Sequence, residues 1–267
     1  MSYFCRKLFF MKLTGLVVAF LGISATVMAQ GVKSKLSGTS SSQQGQTANR
    51  GIFGNNNNNN NNNGGGADIS AGIREALKVG TQRAASTLNK PDGFFGNQLI
   101  KILLPPEVRP VETQLRSMGF GKQCDQLIKS LNRAAEDAAG QAGPVFVRAI
   151  TSMSITDGVN ILRGGNRAAT DFLQRTTNSA LTEAMRPIIG NSLDKVGANK
   201  AWREIFTLYN RLPIAKKKVN PDLVGYVTER SLNGLFMTVA DEEAKIRANP
   251  AGQANNLINS VFGRGGN

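Results

Sequence analysis

The chain has 267 residues, a formal net charge of +14 and no histidine. Its only cysteines are Cys5 and Cys124. Most hydrolytic, metal-dependent and nucleophilic chemistry at neutral pH uses an imidazole or an activated thiol. The composition therefore disfavours those enzyme classes and leaves carboxylates, Lys, Tyr and Ser/Thr as possible reactive groups.

The N-terminus has the layout of a secretory signal. Basic residues precede an apolar run from Leu13 to Met28, and small or modest side chains lead up to Ala29. We expect cleavage between Ala29 and Gln30, so that residues 1–29 form a signal peptide. The run is too short and too interrupted by Gly and Ser for a membrane span of about 20 residues. The mature form is thus expected to have no transmembrane span, with a retained anchor as the alternative.

The start of translation has two candidates, Met1 and Met11, because Met11-Lys12-Leu13 is itself a plausible signal start. Either start predicts export, and we expect the periplasm of a Gram-negative bacterium. Cys5 leaves with the signal, so the mature chain has one thiol and cannot form an intramolecular disulfide. An intermolecular bridge would require an exposed Cys124.

Residues 30–67 are rich in Ser, Gln, Asn and Gly and contain the unbroken tract Asn55–Asn63. Such a segment has too little apolar surface to offset its ordering entropy, so we expect a disordered linker. The Asn tract has no assigned role; aggregation or partner binding is the alternative to a plain tether.

Residues 68–267 are long enough for one domain with a sizeable core. They hold 26 of the 32 basic residues and all 18 acidic ones, a net charge of +8. This charge predicts weak contact with anionic envelope surfaces. The basic residues are dispersed, with one run at Lys216–Lys218, and aromatic residues are not interleaved with it, so no nucleic-acid partner is predicted.

Helical periodicity dominates this region. In chain order, helices are predicted over residues 69–88, 106–118, 124–138, 144–153, 156–162, 168–173, 181–188, 199–212, 220–247 and 250–262. Ser154 or Thr156 is placed to cap one helix and Asn166 the next, and a phase shift at residues 176–178 suggests a helix break. The segment Leu99–Leu104 could be a strand or a helix. We predict an all-α fold: a single globular multi-helix domain of about eight to ten helices, with at most a short β-hairpin near residues 94–104.

The remaining thiol has a helical phase that places it in the core. Cys124 shares a face with Leu127, Ile128 and Leu131. A cysteine in that position usually behaves as a small, inert hydrophobe.

The densest acidic cluster is Asp241-Glu242-Glu243, where Glu242 falls at the edge of the buried stripe of its helix. Consecutive helical residues point in different directions, which disfavours metal binding by these three. The candidate acids for carboxylate chemistry are Glu136, Asp157, Asp171, Glu229 and Glu242. Each has an alternative role as a cap, an ion pair or a solvated residue. No catalytic set, cofactor-binding motif or metal site is predicted, and no cofactor is expected.

Several strings in order resemble one family of exported bacterial proteins, domain-of-unknown-function family 4197. They include Ala76–Thr81, Asp92–Phe95, Ile100–Pro105, Leu131–Glu136, Pro144–Phe146, Met153–Asp157, Ala169–Phe172, Asp194–Ala198, Tyr226–Thr228 and Ala240–Ala251. The resemblance covers residues 68–263 and leaves out the linker. It implies an exported helical domain and supplies no catalytic residues.

Three hypotheses follow. The first is non-catalytic binding of a partner or small ligand in the cell envelope. The alternative is a carboxylate-dependent enzyme acting on envelope glycans, which needs only an acid and a base or nucleophile. The third assigns the basic surface to retention at the envelope.

Overall fold

The computed structural model describes residues 64–211 and 217–250, with side chains from residue 69 onward. These residues form eight α-helices and one 3-10 turn, and no strand occurs among them. The all-α prediction is confirmed, and the number of helices is close to the predicted one. The elements are α1 (Gly64–Leu88), the 3-10 turn (Pro106–Val108), α2 (Arg109–Ser117), α3 (Gly121–Ala139), α4 (Ala142–Thr151), α5 (Ile155–Arg163), α6 (Ala168–Lys195), α7 (Ala198–Tyr209) and α8 (Leu223–Ala248).

The two long helices α6 and α8 pack along each other and form the centre of the domain. Helix α3 packs on α6, and α1 crosses α4, α5 and α8. Leu131, Phe146, Leu173 and Leu235, each from a different helix, are fully buried where these helices meet. Burial of such side chains supplies the main driving force for folding.

Helix α6 corrects two predictions. It runs without a break through Thr176 and Thr177, whose hydroxyl groups both donate to carbonyls of the preceding turn, at 2.8 and 2.6 Å. Residues buried at four-residue spacing then continue one stripe from Thr177 to Leu193. Asn166 is not the cap, since Arg167 occupies that position and makes no side-chain capping bond. The predicted final helix from Pro250 lies outside the described residues.

The segment between α1 and the 3-10 turn is not a hairpin. Residues 91–96 and 98–100 form turns, and residues 101–105 have no regular secondary structure. The amide of the fully buried Asn132 replaces a neighbouring strand: its Oδ1 accepts from Ile102 N and its Nδ2 donates to Ile102 O, both at 2.8 Å. A side chain on α3 thus satisfies backbone groups that a hairpin would have paired.

Gly234 allows this segment to approach α8 closely. A Cβ at that position would lie 2.7 Å from Cε1 of Phe94, a fully buried ring. Such a contact is too short for any side chain. The position of the segment on α8 therefore depends on Gly234 and Phe94 together.

Candidate functional site

Glu136 is a structural carboxylate in the described fold. It is buried on α3, and its Oε1 accepts hydrogen bonds from Phe94 N and Phe95 N, both at 3.1 Å. Its Oε2 pairs with the guanidinium of Arg133, which also bonds Asp92 Oδ1 at 2.8 Å. The acid therefore holds the turn at residues 92–95 against α3.

Asp157 completes a helix cap. Ser154 Oγ accepts from Asp157 N at 3.1 Å, and Asp157 Oδ2 accepts from Ser154 N at 3.0 Å, a reciprocal capping box at the start of α5. The hydrogen bonds from the Ser154 hydroxyl and backbone hold the pKa of the Asp157 carboxyl below its usual value. Of the two predicted caps for this helix, Ser154 is the one observed.

Asp171 and Glu229 are both exposed. Asp171 lies in the first turn of α6, 3.8 Å from Arg167 Nε in an exposed ion pair. An ion pair of this kind contributes little, about 0–1 kcal/mol. Neither side chain sits in a cleft that would give it a special reactivity.

Glu242 is buried at the edge of the α8 stripe, as predicted, and its Oε1 accepts from Lys245 Nζ at 2.6 Å. The neighbouring Glu243 is the more connected residue. Its carboxylate accepts from Ala169 N at 3.1 Å and from Thr170 N at 2.8 Å, so that it caps α6 from another helix. This explains why α6 begins without a local cap.

Glu243 also joins a third helix through Arg247. Arg247 Nε donates to Glu243 Oε1 at 3.0 Å, and Arg247 Nη2 donates to Ile161 O at 2.9 Å near the end of α5. The sequence carried a signal for this residue, because Glu243 follows the buried Val239 by four positions and precedes the buried Ile246 by three.

The five candidate acids make no hydrogen bond to one another among the described residues. Glu229 and Glu242 share α8 but are separated by roughly 20 Å along its axis. Glycoside hydrolysis needs two carboxyl groups about 5–9.5 Å apart. No observed geometry favours the glycan-hydrolase alternative.

An apolar cavity lies under α2. We call it the α2 cavity; it has about 540 Å³ of empty space, including the part open to solvent. Its walls are almost entirely apolar and come from the 3-10 turn, α2, α3, α7 and the segment before them. They are Leu104, Val108, Val111, Glu112, Leu115, Gln123, Cys124, Leu127, Trp202, Ile205 and Phe206.

Helix α2 is incompletely packed over this cavity. It is strongly amphipathic, yet none of its residues is buried, and Val111 and Leu115 are only half-buried. Arg116 ties its end to α3 through Asp125 Oδ1 at 2.7 Å, and also bonds Glu112 in α2 itself, at 2.8 Å. The apolar face of α2 therefore packs on the core only in part, through Val111, and borders the cavity with Val111 and Leu115.

Three side chains give the α2 cavity its chemistry. Trp202 Nε1 donates to Asn220 O at 3.0 Å, so its only polar group is already satisfied. Burial raises the pKa of the Cys124 thiol, which keeps it protonated; its predicted core position is confirmed. Gln123 Oε1 is buried and has no hydrogen-bond partner among the described residues. The wall surface that the cavity exposes is thus apolar.

A second cavity of about 370 Å³, again counting space open to solvent, lies where α1, α5, α6 and α8 meet. Ile73, Leu77 and Ile246 form part of its apolar wall, and Glu243 and Arg247 lie at its side. Because those two charged groups already hold α5 and α6 in place, we assign this cavity to the packing of the domain.

The described residues contain no group of three or more His, Cys, Asp or Glu residues that could hold a metal ion. None of the described helices combines the length and apolar character that crossing a membrane requires.

Comparison with known proteins gives one match. The sequence profile of the family described as "Protein of unknown function (DUF4197)" matches residues 64–263. No curated protein and no solved structure matches the chain. The matched range begins with α1 and extends beyond the end of α8, so it contains every described element. The chain belongs to the DUF4197 family.

Proposed function

We propose that this is an exported, non-catalytic binding domain of the cell envelope, and that the α2 cavity receives a small apolar ligand. The observation that carries the proposal is the amphipathic α2, which has no buried residue and lies over an apolar space. The signal-like residues 1–29 support export to the periplasm of a Gram-negative bacterium.

The walls of the α2 cavity fit this role. Small-molecule sites are typically lined by apolar and aromatic side chains with few polar groups. A ligand that filled the space would bury the exposed parts of Val111 and Leu115 at about 25 cal/mol per Å² of apolar area. Binding of the ligand would therefore also stabilise α2.

The composition of the walls narrows the ligand chemistry. The wall surface that the cavity exposes is apolar, and Gln123 Oε1 is itself buried. The lining includes no Lys or Arg, and its one acid, Glu112, is paired with Arg116. An anionic ligand head would find no partner inside. We propose a neutral apolar molecule.

Trp202 makes the test direct, because it is the only tryptophan of the chain and lies in the cavity wall. The probe is the neutral dye N-phenyl-1-naphthylamine. We expect dye emission to rise on binding while Trp202 emission falls through energy transfer. Cys124→Phe, which fills the cavity, should weaken dye binding at least about tenfold.

The matched control is Val147→Phe, which adds a similar ring at an exposed position of α4. Both variants are first checked for helical content and for the midpoint of thermal unfolding. The proposal fails if the dye does not quench Trp202, or if Cys124→Phe and Val147→Phe bind it equally well.

A further inference from the structure

The segment Leu99–Leu104 presents leucines to solvent in a regular pattern. Ile100, Ile102 and Leu104 are buried, whereas Leu99 is 78% exposed and Leu103 is 45% exposed. Lys101, between the two leucines, is half-buried. Alternation of this kind normally places polar residues outside, so the outward leucines have no role in the core.

These leucines do not lie on a loose loop. The Asn132 amide bonds both the N–H and the C=O of Ile102, and Tyr226 Oη donates to Leu103 O at 2.8 Å. Phe94 packs beneath the segment against Gly234 of α8. The exposed leucines are therefore already fixed in place, which lowers the entropy cost of docking them on a partner.

Two cations lie on the aromatic rings beside this segment. Lys101 Nζ lies 3.9 Å from the centroid of the Phe95 ring, and the Arg230 guanidinium lies 5.6 Å from the ring of Tyr226, the residue that bonds Leu103 O. We call Leu99, Lys101, Leu103, Tyr226 and Arg230 the leucine patch.

We propose that the leucine patch docks on the surface of a bilayer containing anionic phospholipids. Exposed leucines can enter the boundary between headgroups and acyl chains, while neighbouring cations meet lipid phosphates. The net charge of +8 on residues 68–267 acts in the same direction. A nucleic acid would use the cations but would leave both leucines in water.

This inference rests on the proposed export in one respect: export decides which membrane the protein meets. The α2 cavity plays no part in it. A failure of vesicle binding would leave the dye-binding result unaffected, and the reverse also holds.

The test is sedimentation of the mature chain with vesicles of phosphatidylglycerol and phosphatidylethanolamine, compared with vesicles of phosphatidylcholine. We expect binding to the anionic vesicles at about 0.1 M NaCl, where the Debye length is about 10 Å, and a clear loss at about 0.5 M. Leu99→Asn should weaken binding about tenfold by removing an inserted apolar side chain. Lys101→Gln with Arg230→Gln should weaken it roughly 25-fold, about fivefold for each cation.

The matched controls change similar residues outside the leucine patch. Leu208→Asn replaces a leucine that is 50% exposed on α7, and Lys195→Gln with Lys200→Gln removes two exposed cations on α6 and α7. Each variant is first checked to have the helical content and the midpoint of thermal unfolding of the unsubstituted protein.

Selective loss in the patch variants supports the proposal. It is overturned by equal sedimentation with both kinds of vesicle, by equal losses in the patch and control variants, or by binding to a DNA oligonucleotide without binding to anionic vesicles.

Discussion

Two buried glutamates stabilise backbone outside their own helices. Glu136 accepts the amides of Phe94 and Phe95, and Glu243 accepts those of Ala169 and Thr170. In each case an arginine on the same helix balances the charge. A buried carboxylate is tolerated only when such partners satisfy it, so each glutamate and its contacts form one unit.

Glu243→Ala should lower the free energy of unfolding by about 3–5 kcal/mol, because it leaves the first amides of α6 unpartnered and removes the carboxylate that balances Arg247. Asp241→Ala, at an exposed position two residues away, should change it by less than about 0.5 kcal/mol. Chemical denaturation of both variants is the measurement. Equal losses would contradict the role assigned to Glu243.

At the scale of elements, the helices differ in how they begin. Helix α5 has a local capping box, and α8 is capped by the Asp222 side chain, which accepts from Gly225 N at 2.8 Å. Helix α6 is capped by Glu243, a residue of α8. Burial alone would raise the pKa of the Asp222 carboxyl, but the bonds from Arg186 and Gly225 N hold it below its usual value. A local cap can be recognised from neighbouring residues in the sequence. A cap supplied by another helix depends on how distant helices pack.

The α5 cap makes stability depend on pH. Because the folded-state pKa of Asp157 is lowered, the contribution of its charge is complete above the unfolded pKa, near 4, and is lost as pH falls through the folded pKa. Asp157→Asn should therefore cost about 1 kcal/mol at pH 7 and progressively less below about pH 4. Denaturant titrations across this range provide the measurement.

A double-mutant cycle with Ser154→Ala supplies the control, because the two residues share one capping box and their losses should not add. Additive losses, or a deficit of Asp157→Asn that stays constant down to pH 2, would show that the charged cap does not stabilise α5.

Helix α2 is the element least supported by the core. It has nine residues, and isolated helices shorter than about 12–15 residues are marginal in water. Its support comes from the Arg116 bridges and from half-buried contacts at the cavity edge. Because α2 is the least supported helix, a bound apolar molecule would be expected to stabilise α2 more than the other helices.

At the scale of the whole molecule, the proposed route of export is testable by itself. The mature chain recovered from the periplasmic fraction should begin at Gln30, as determined by mass spectrometry of the intact protein. Leu16→Arg with Val18→Arg interrupts the apolar run and should keep the full-length precursor inside the cell.

A chain started at Met11 serves as the export control, because it keeps Lys12 and the whole apolar run. It should yield the same mature product. An uncut precursor found in the membrane fraction would indicate a retained anchor, and export of the doubly substituted chain would refute the signal assignment.

The sequence by itself determined the all-α class, most of the helices, the core position of Cys124 and a cap for α5 at Ser154 or Thr156. Each of these depends on residues within one or two turns of each other, so periodicity and capping chemistry reveal them. The break expected at residues 176–178 was wrong, because the buried stripe continues from Thr177 through Leu181 to Leu193 in one helix.

Only the tertiary structure decided the roles of Glu243, Asn132 and Gly234, the place of the α2 cavity and the outward direction of Leu99 and Leu103. Each depends on which distant surfaces meet: α8 on α6, α3 on the segment before the 3-10 turn, and α2 on α3. A one-dimensional pattern shows which face of a helix is apolar, but it does not show whether another element covers that face. Whether an apolar face is covered by another element decides whether it belongs to the core or stays exposed.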